Sequence, residues 1–180
     1  MKKSTVILMW GGGTGIISVI FYQILYATAQ ENSPLRWLNL LILFLGLFIG
    51  TMQFRNKVNG GYLSFGEGFK TGFLMVLLIT AITLIATIID MEFLHPDFID
   101  KILAQSRDSM INKGMTEDQI EIGMHYTKMW TTPLMIILFT IIGSIIGGAI
   151  FSLITAALCT RKKPIFDDAD EVSDNDIPQA

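Results

Sequence analysis

Four long stretches of this chain contain no charged residue, and each is bounded by charge at both ends: residues 4–30, 37–54, 71–89 and 129–160. Crossing about 30 Å of hydrocarbon as a helix takes roughly 20 apolar residues. In lipid every backbone polar group must be satisfied internally, so each stretch is predicted to be α-helical. The apolar residues, 51% of the chain, run uninterrupted instead of recurring at the spacing of a half-buried helix or strand. The fold class is therefore all-α: a polytopic membrane protein with a bundle of four transmembrane helices. Residues 1–163 form one membrane domain with spans at about 4–29, 37–54, 65–89 and 131–159. A short external helical insertion, about 91–130, separates spans three and four.

The basic residues set the expected orientation. Lys2, Lys3, Arg55, Lys57, Lys70, Arg161, Lys162 and Lys163 fall on one side, and Arg36, Lys101, Arg107, Lys113 and Lys128 on the other. The contrast is sharpest in the short connections, where the positive-inside rule applies. Residues 31–36 hold one basic residue, while 55–70 hold three. Both termini are thus expected in the cytoplasm, with residues 90–128 outside. A rival reading makes the first stretch a signal peptide. Lys2 and Lys3 would form its basic region, and cleavage would follow Ala27-Thr28-Ala29. The apolar run is much longer than the ~7–15 residues of a signal core, which favours a retained span.

Local signals place the element ends. Glu31-Asn32-Ser33-Pro34 is a polar turn, and Asn59-Gly60-Gly61 a tight one. Ser64 with Glu67 has capping-box spacing and starts span three at Phe65. That puts Glu67 and Lys70 in its first turns at headgroup depth, spaced i, i+3 so that they can pair. Outside, His95-Pro96-Asp97 begins a helix, and Gly114 stops it. Thr116 and Gln119 form a second capping pair, whose helix extends toward Trp130 and Pro133. The charge of the first external helix is mixed, so its apolar face is expected to cap the bundle in preference to lying on lipid. The acid-rich segment 164–180 reads as a disordered cytoplasmic tail. It lacks the glycine and terminal glutamate of a calcium loop.

Each span carries one Gly-x-x-x-Gly: Gly11/Gly15, Gly46/Gly50, Gly68/Gly72 and Gly143/Gly147. Small residues let helix backbones touch, which matters where lipid supplies no hydrophobic drive between helices. These eight glycines are the predicted helix-packing positions, concentrated toward the cytoplasmic side. Bulky residues such as Tyr22, Trp37 and Phe139 occupy the outer halves, so the bundle is expected to be narrow inside and wider outside.

Little in the chain marks catalysis. Glu67, Lys70 and Asp90 stand at span ends, so no ionisable residue falls at mid-membrane, which counts against a proton relay or charged ion path. Gly-x-Ser-x-Gly and His-Glu-x-x-His are both missing. The run Gly11-Gly12-Gly13-Thr14-Gly15 lacks the preceding strand and the Lys-Ser/Thr of a nucleotide loop. Ser18, Gln23, Asn39, Gln53, Thr80, Thr83, Thr87, Thr140 and Ser144 are read as ties between helices. Glu121 with His125, and His95 flanked by Asp90, Glu92 and Asp97, have no dense ligand spacing, so no metal is assigned. Cys159 alone excludes an internal disulfide. No catalytic residue, cofactor or nucleic-acid partner is expected.

Residues 60–73, reading Gly-Gly-Tyr-Leu-Ser-Phe-Gly-Glu-Gly-Phe-Lys-Thr-Gly-Phe, resemble the segment that opens the third span in a family of uncharacterised bacterial four-span inner-membrane proteins, classed as a domain of unknown function. The glycine-rich first span and a fourth span ending at Arg161-Lys162-Lys163 fit as well. The resemblance implies four spans and carries no activity with it. The expected role is non-enzymatic, structural or interactive, with the bilayer, a second copy or another membrane protein as partner. The alternative is a small transport or permease component with an outward-facing pocket.

Overall fold

The computed structural model describes residues 2–28, 30 and 33–163; the expected acidic tail 164–180 and the cleavage position at Ala29 lie outside the described residues. Helix α1 covers Lys3–Ala27. A single 3-10 turn, Pro34–Trp37, leads into α2, Leu38–Lys57. Helix α3, Phe65–Ile89, continues into a π-helical turn, Asp90–Leu94. Then come α4, Phe98–Asn112, α5, Glu117–Trp130, and α6, Pro133–Cys159. At 1.5 Å per residue, the 25 residues of α1 or α3 reach about 37 Å, enough to cross a bilayer. Four helical stretches, Lys3–Ala27, Pro34–Lys57, Phe65–Leu94 and Pro133–Cys159, are long and apolar enough to span. The chain is an all-α, multi-pass membrane bundle.

The helix ends follow their capping chemistry. Ser64 Oγ accepts from the Glu67 N–H at 3.3 Å, and Glu67 Oε2 accepts from the Ser64 N–H at 3.3 Å, satisfying two orphan donors reciprocally. Gln119 Oε1 accepts from the Thr116 N–H at 3.0 Å. Thr132 caps α6 by accepting from the Met135 N–H, with Pro133 at the first helical position. The expected continuation of α5 into span four is broken there, at Thr131 and Thr132. Gly60, Gly61 and Gly114 take positive φ at the turns the sequence marks. Pro96 differs from expectation: it sits in the turn before α4, which begins two residues later at Phe98.

Helix α3 is central. It packs on α1 and α6 and, less extensively, on α2. The N-termini of α1 and α3 and the C-termini of α2 and α6 share one end, called here the terminal end; the opposite end carries α4 and α5. At the terminal end the Leu63 and Arg161 backbones exchange two hydrogen bonds of 2.9 Å. Arg55 Nη1 donates to the Cys159 carbonyl at 3.3 Å, so three chain connections are tied together. The core contains Val6, Leu47, Phe54, Leu63, Met75, Val76, Ile79 and Cys159.

Burial is uneven along the bundle. The buried residues of α2 run from Gly46 to Phe54, and those of α6 from Gly148 to Cys159. The other half of α6 presents Leu134, Phe139, Ile142 and Ile146 outward. Helices α4 and α5 pack on each other as a hairpin and make only sparse contact with the bundle. The expected cap is therefore not formed: α4 has no buried residue, because its apolar positions Ile102 and Met110 turn toward α5 or stay half-exposed.

Candidate functional site

Asp90 stands where α3 passes into its π-helical turn. It stands at the end of a span, as the sequence places it, yet it is only 4% exposed. Two side chains converge on one of its oxygens. Gln23 Nε2, from the last turns of α1, donates to Asp90 Oδ1 at 2.8 Å. His95 Nδ1 lies 2.9 Å from the same atom. The π turn makes the second contact possible: its i→i+5 bond, His95 N–H to the Asp90 carbonyl at 2.7 Å, returns His95 to the carboxyl group. Such turns interrupt α-helices at a cost and are frequent at functional sites.

A second layer holds His95. The Tyr26 ring lies against the imidazole, centroids 3.8 Å apart. Lys101 of α4 also lies against Tyr26, 4.5 Å from the ring centroid, and donates to its hydroxyl. Lys101 also pairs with Asp97 at 3.2 Å. The Tyr26 hydrogen bond first, and Asp97 after it, hold the Lys101 ammonium above its ordinary pKa.

Beside Asp90 is a pocket of about 180 Å³ between α1, α2 and α3, lined by Ser18, Tyr22, Gln23, Asn39, Thr83, Thr87 and Asp90 together with the apolar Val19 and Ala86. Ser18 is 4% exposed, and its Oγ has no hydrogen-bond partner; Asn39 Oδ1 is likewise sealed and unpartnered. Thr83 donates its hydroxyl to the Ile79 and Thr80 carbonyls, and Thr87 to the Thr83 carbonyl. Their oxygens therefore remain only as acceptors toward the pocket.

The predicted packing glycines divide into two sets. A Cβ on Gly11 or Gly15 would approach the α3 backbone at Met75 or Ile79 within 3.4 Å. On Gly46 it would meet Thr14, on Gly50 Met75 and Trp10, on Gly68 Ala156, and on Gly72 Ser152. Gly143 and Gly147 differ: a Cβ there meets nothing within 4 Å. The close approach on α6 falls instead at Gly148, against Val76, one position further around the helix and facing α3. Near the start of span three, Ser64 and Glu67 engage each other as described. The expected Glu67–Lys70 pair is not among the ion pairs of the described residues. Glu67 Oε2 turns back to accept from Ser64 Oγ at 2.9 Å and Asn59 Nδ2 at 3.3 Å, away from Lys70.

Of the polar residues read as helix ties, Gln53 is one: it accepts from the Trp10 indole and links α1 to α2. Gln23 is another, joining α1 to Asp90 at the end of α3, and it also lines the pocket, around which Ser18, Asn39, Thr83 and Thr87 gather. Their signal was present as spacing, since Thr80, Thr83, Thr87 and Asp90 form one stripe along a helix. His125 and Glu121 line a separate open groove on the hairpin with Arg107, Glu117 and Lys128. Among the described residues, no three His, Cys, Asp or Glu side chains group closely enough to hold a metal ion.

No curated protein and no solved structure matches the chain. A family model does match, over residues 9–161, from within α1 through the hairpin to the end of α6. The chain belongs to the family described as protein of unknown function, DUF4199.

Proposed function

We propose that the protein is a non-enzymatic component of the bacterial inner membrane that admits a small polar ligand from outside into the pocket beside Asp90. This is the transport or permease reading of the sequence, preferred over the purely structural one. The observation that carries it is Asp90 itself. A side chain that is costly to bury in a membrane is held by two helices at the edge of a pocket, when an apolar residue would pack more simply. The outward direction rests on the basic residues that flank the terminal end. The narrow packing at that end leaves the pocket closed toward the cytoplasm, as one gate of such a component would be.

Cysteine accessibility tests the reading. Ala86→Cys places a thiol in the pocket lining, and Ile85→Cys, one residue away on a 60% exposed face, places one toward lipid. A thiol needs water to react as thiolate. A membrane-impermeant maleimide added to intact spheroplasts should label position 86 and leave 85 unlabelled, with the wild type and its buried Cys159 as blank. No labelling at 86, together with a stable partner recovered in mild detergent, would return the structural reading to first place.

A further inference from the structure

We infer that the pocket between α1, α2 and α3 is a binding site for a small monovalent cation, either an alkali ion or a primary ammonium group, with Asp90 as its counter-charge. The inference rests on the pocket reading above and names the chemistry that the pocket selects.

Beside the Tyr22 hydroxyl, the polar groups of the lining are mostly acceptors. Both hydrogen bonds to Asp90 end on Oδ1, so Oδ2 receives none. Gln23 uses its amide nitrogen on Asp90, which leaves Gln23 Oε1 as an acceptor. Thr83 and Thr87 have already given their hydroxyl hydrogens to backbone carbonyls. Asn39 Oδ1 and Ser18 Oγ are sealed with no partner at all. Buried polar atoms without partners are rare, because each one forgoes the hydration it had in the unfolded chain. Among the described residues Thr51, Thr71 and Ser152 also have such an oxygen, in the tightly packed half of the bundle; Ser18 and Asn39 differ in lining a pocket, next to a carboxyl group that is 4% exposed.

An anion would find no lysine or arginine in this lining. The nearby Lys101 is engaged with Tyr26 and Asp97. A cation in the pocket supplies what the oxygens lack and balances the one buried carboxylate. Divalent ions are the poorer fit, since calcium sites gather more than one carboxylate, and this pocket offers one. A space of about 180 Å³ takes an ion with waters or a small amine, and its apolar walls from Val19 and Ala86 suit an alkyl group.

The test is the melting temperature of the full-length protein in detergent, at constant ionic strength, as choline chloride is replaced by sodium, potassium or methylammonium chloride. Binding to the folded state alone raises stability with ligand concentration. A saturable rise of roughly 2–4 °C is expected for at least one of the three cations, the size that a modest gain produces in a chain of this length. Saturation by sodium or potassium alone assigns an alkali ion; saturation by methylammonium alone assigns an amine. The rise should vanish in Asp90→Asn, which keeps an oxygen for Gln23 but loses the charge. Should that variant not fold, Ser18→Ala and Asn39→Leu carry the test, each raising the half-saturating concentration several-fold. The proposal is overturned if no cation acts beyond choline, which would mean a pocket filled by water alone, or if the rise persists unchanged in these variants. If Ala86→Cys is labelled from outside while no cation acts, the pocket reading stands and only the cation assignment falls. If neither occurs, both fall.

Discussion

Gln23 on α1 and Asp90 at the end of α3 are joined by a 2.8 Å hydrogen bond between residues 67 positions apart in the chain. It ties together the two helices at the end where close glycine contacts no longer do so. Gln23→Leu removes the amide donor to a buried carboxyl group. Hydrogen bonds to charged groups are worth about 1.5–3 kcal/mol, so a loss of that size is expected in denaturant titration. Asp90→Asn should cost less, and the double variant less than the sum of the two singles. Strict additivity would show that the two side chains are not coupled.

The glycines of α6, together with Gly46 of α2, make opposite predictions. Gly148→Ala drives a methyl into Val76, and Gly46→Ala drives one into Thr14; overpacking of this kind typically costs about 1–3 kcal/mol. Gly143→Ala and Gly147→Ala meet open space and remove a flexible residue from a helix. In an exposed helix this change stabilises by roughly 0.5–1 kcal/mol. Thermal unfolding of the four purified variants should separate them two and two. Equal losses at 147 and 148 would contradict the placement of α6 against α3.

At the start of α3, Glu67 serves the cap and not an ion pair with Lys70. Ser64→Ala should therefore cost about 0.5–2 kcal/mol, the usual range for losing such a cap. Glu67→Gln, which can still accept from Ser64, should be mild. Exchanging the two charges, Glu67→Lys with Lys70→Glu, should damage expression as much as Glu67→Lys alone. Recovery in the exchanged variant would restore the salt-bridge reading.

The spans, the capping pairs and the external hairpin were legible because each depends on local chemistry: charge-free length, Ser-x-x-Glu spacing, glycine at a turn. Asp90 stands at the end of span three as read, but its burial was not legible, because a position at a span end does not say which way the helix faces. Only the π turn and the arrival of Gln23 from α1 bury it. Gly143/Gly147 and Gly148 show the same limit. The motif spacing is satisfied by the first pair, while the rotation of α6 about its axis, set by Ser152 and Ala156 against α3, puts Gly148 at the contact.

Lys101 tethers α4 to Tyr26, and its pKa is raised in the fold by that hydrogen bond above all. The sign follows directly. A group with a raised folded value contributes fully at pH below its unfolded value, and its contribution is lost as pH rises through the folded one. The tether should thus be intact at neutral pH and released only above the usual lysine range. Amide exchange of α4 measured at pH 7 should quicken in Lys101→Met, with α1 and α3 unchanged. Unchanged exchange in α4 would show that the exposed contact contributes nothing, as is common for surface pairs.

Which side of the membrane the hairpin occupies decides whether Asp90 opens outward, so topology tests the whole account most directly. Reporter fusions at Gly114, between α4 and α5, and after Ala180 should be read with one reporter active only outside and one active only in the cytoplasm. The predicted result is an external Gly114 and a cytoplasmic C-terminus. Both fusions reporting the same side would contradict the four-span bundle, and the reverse pair of sides would turn the pocket beside Asp90 toward the cytoplasm.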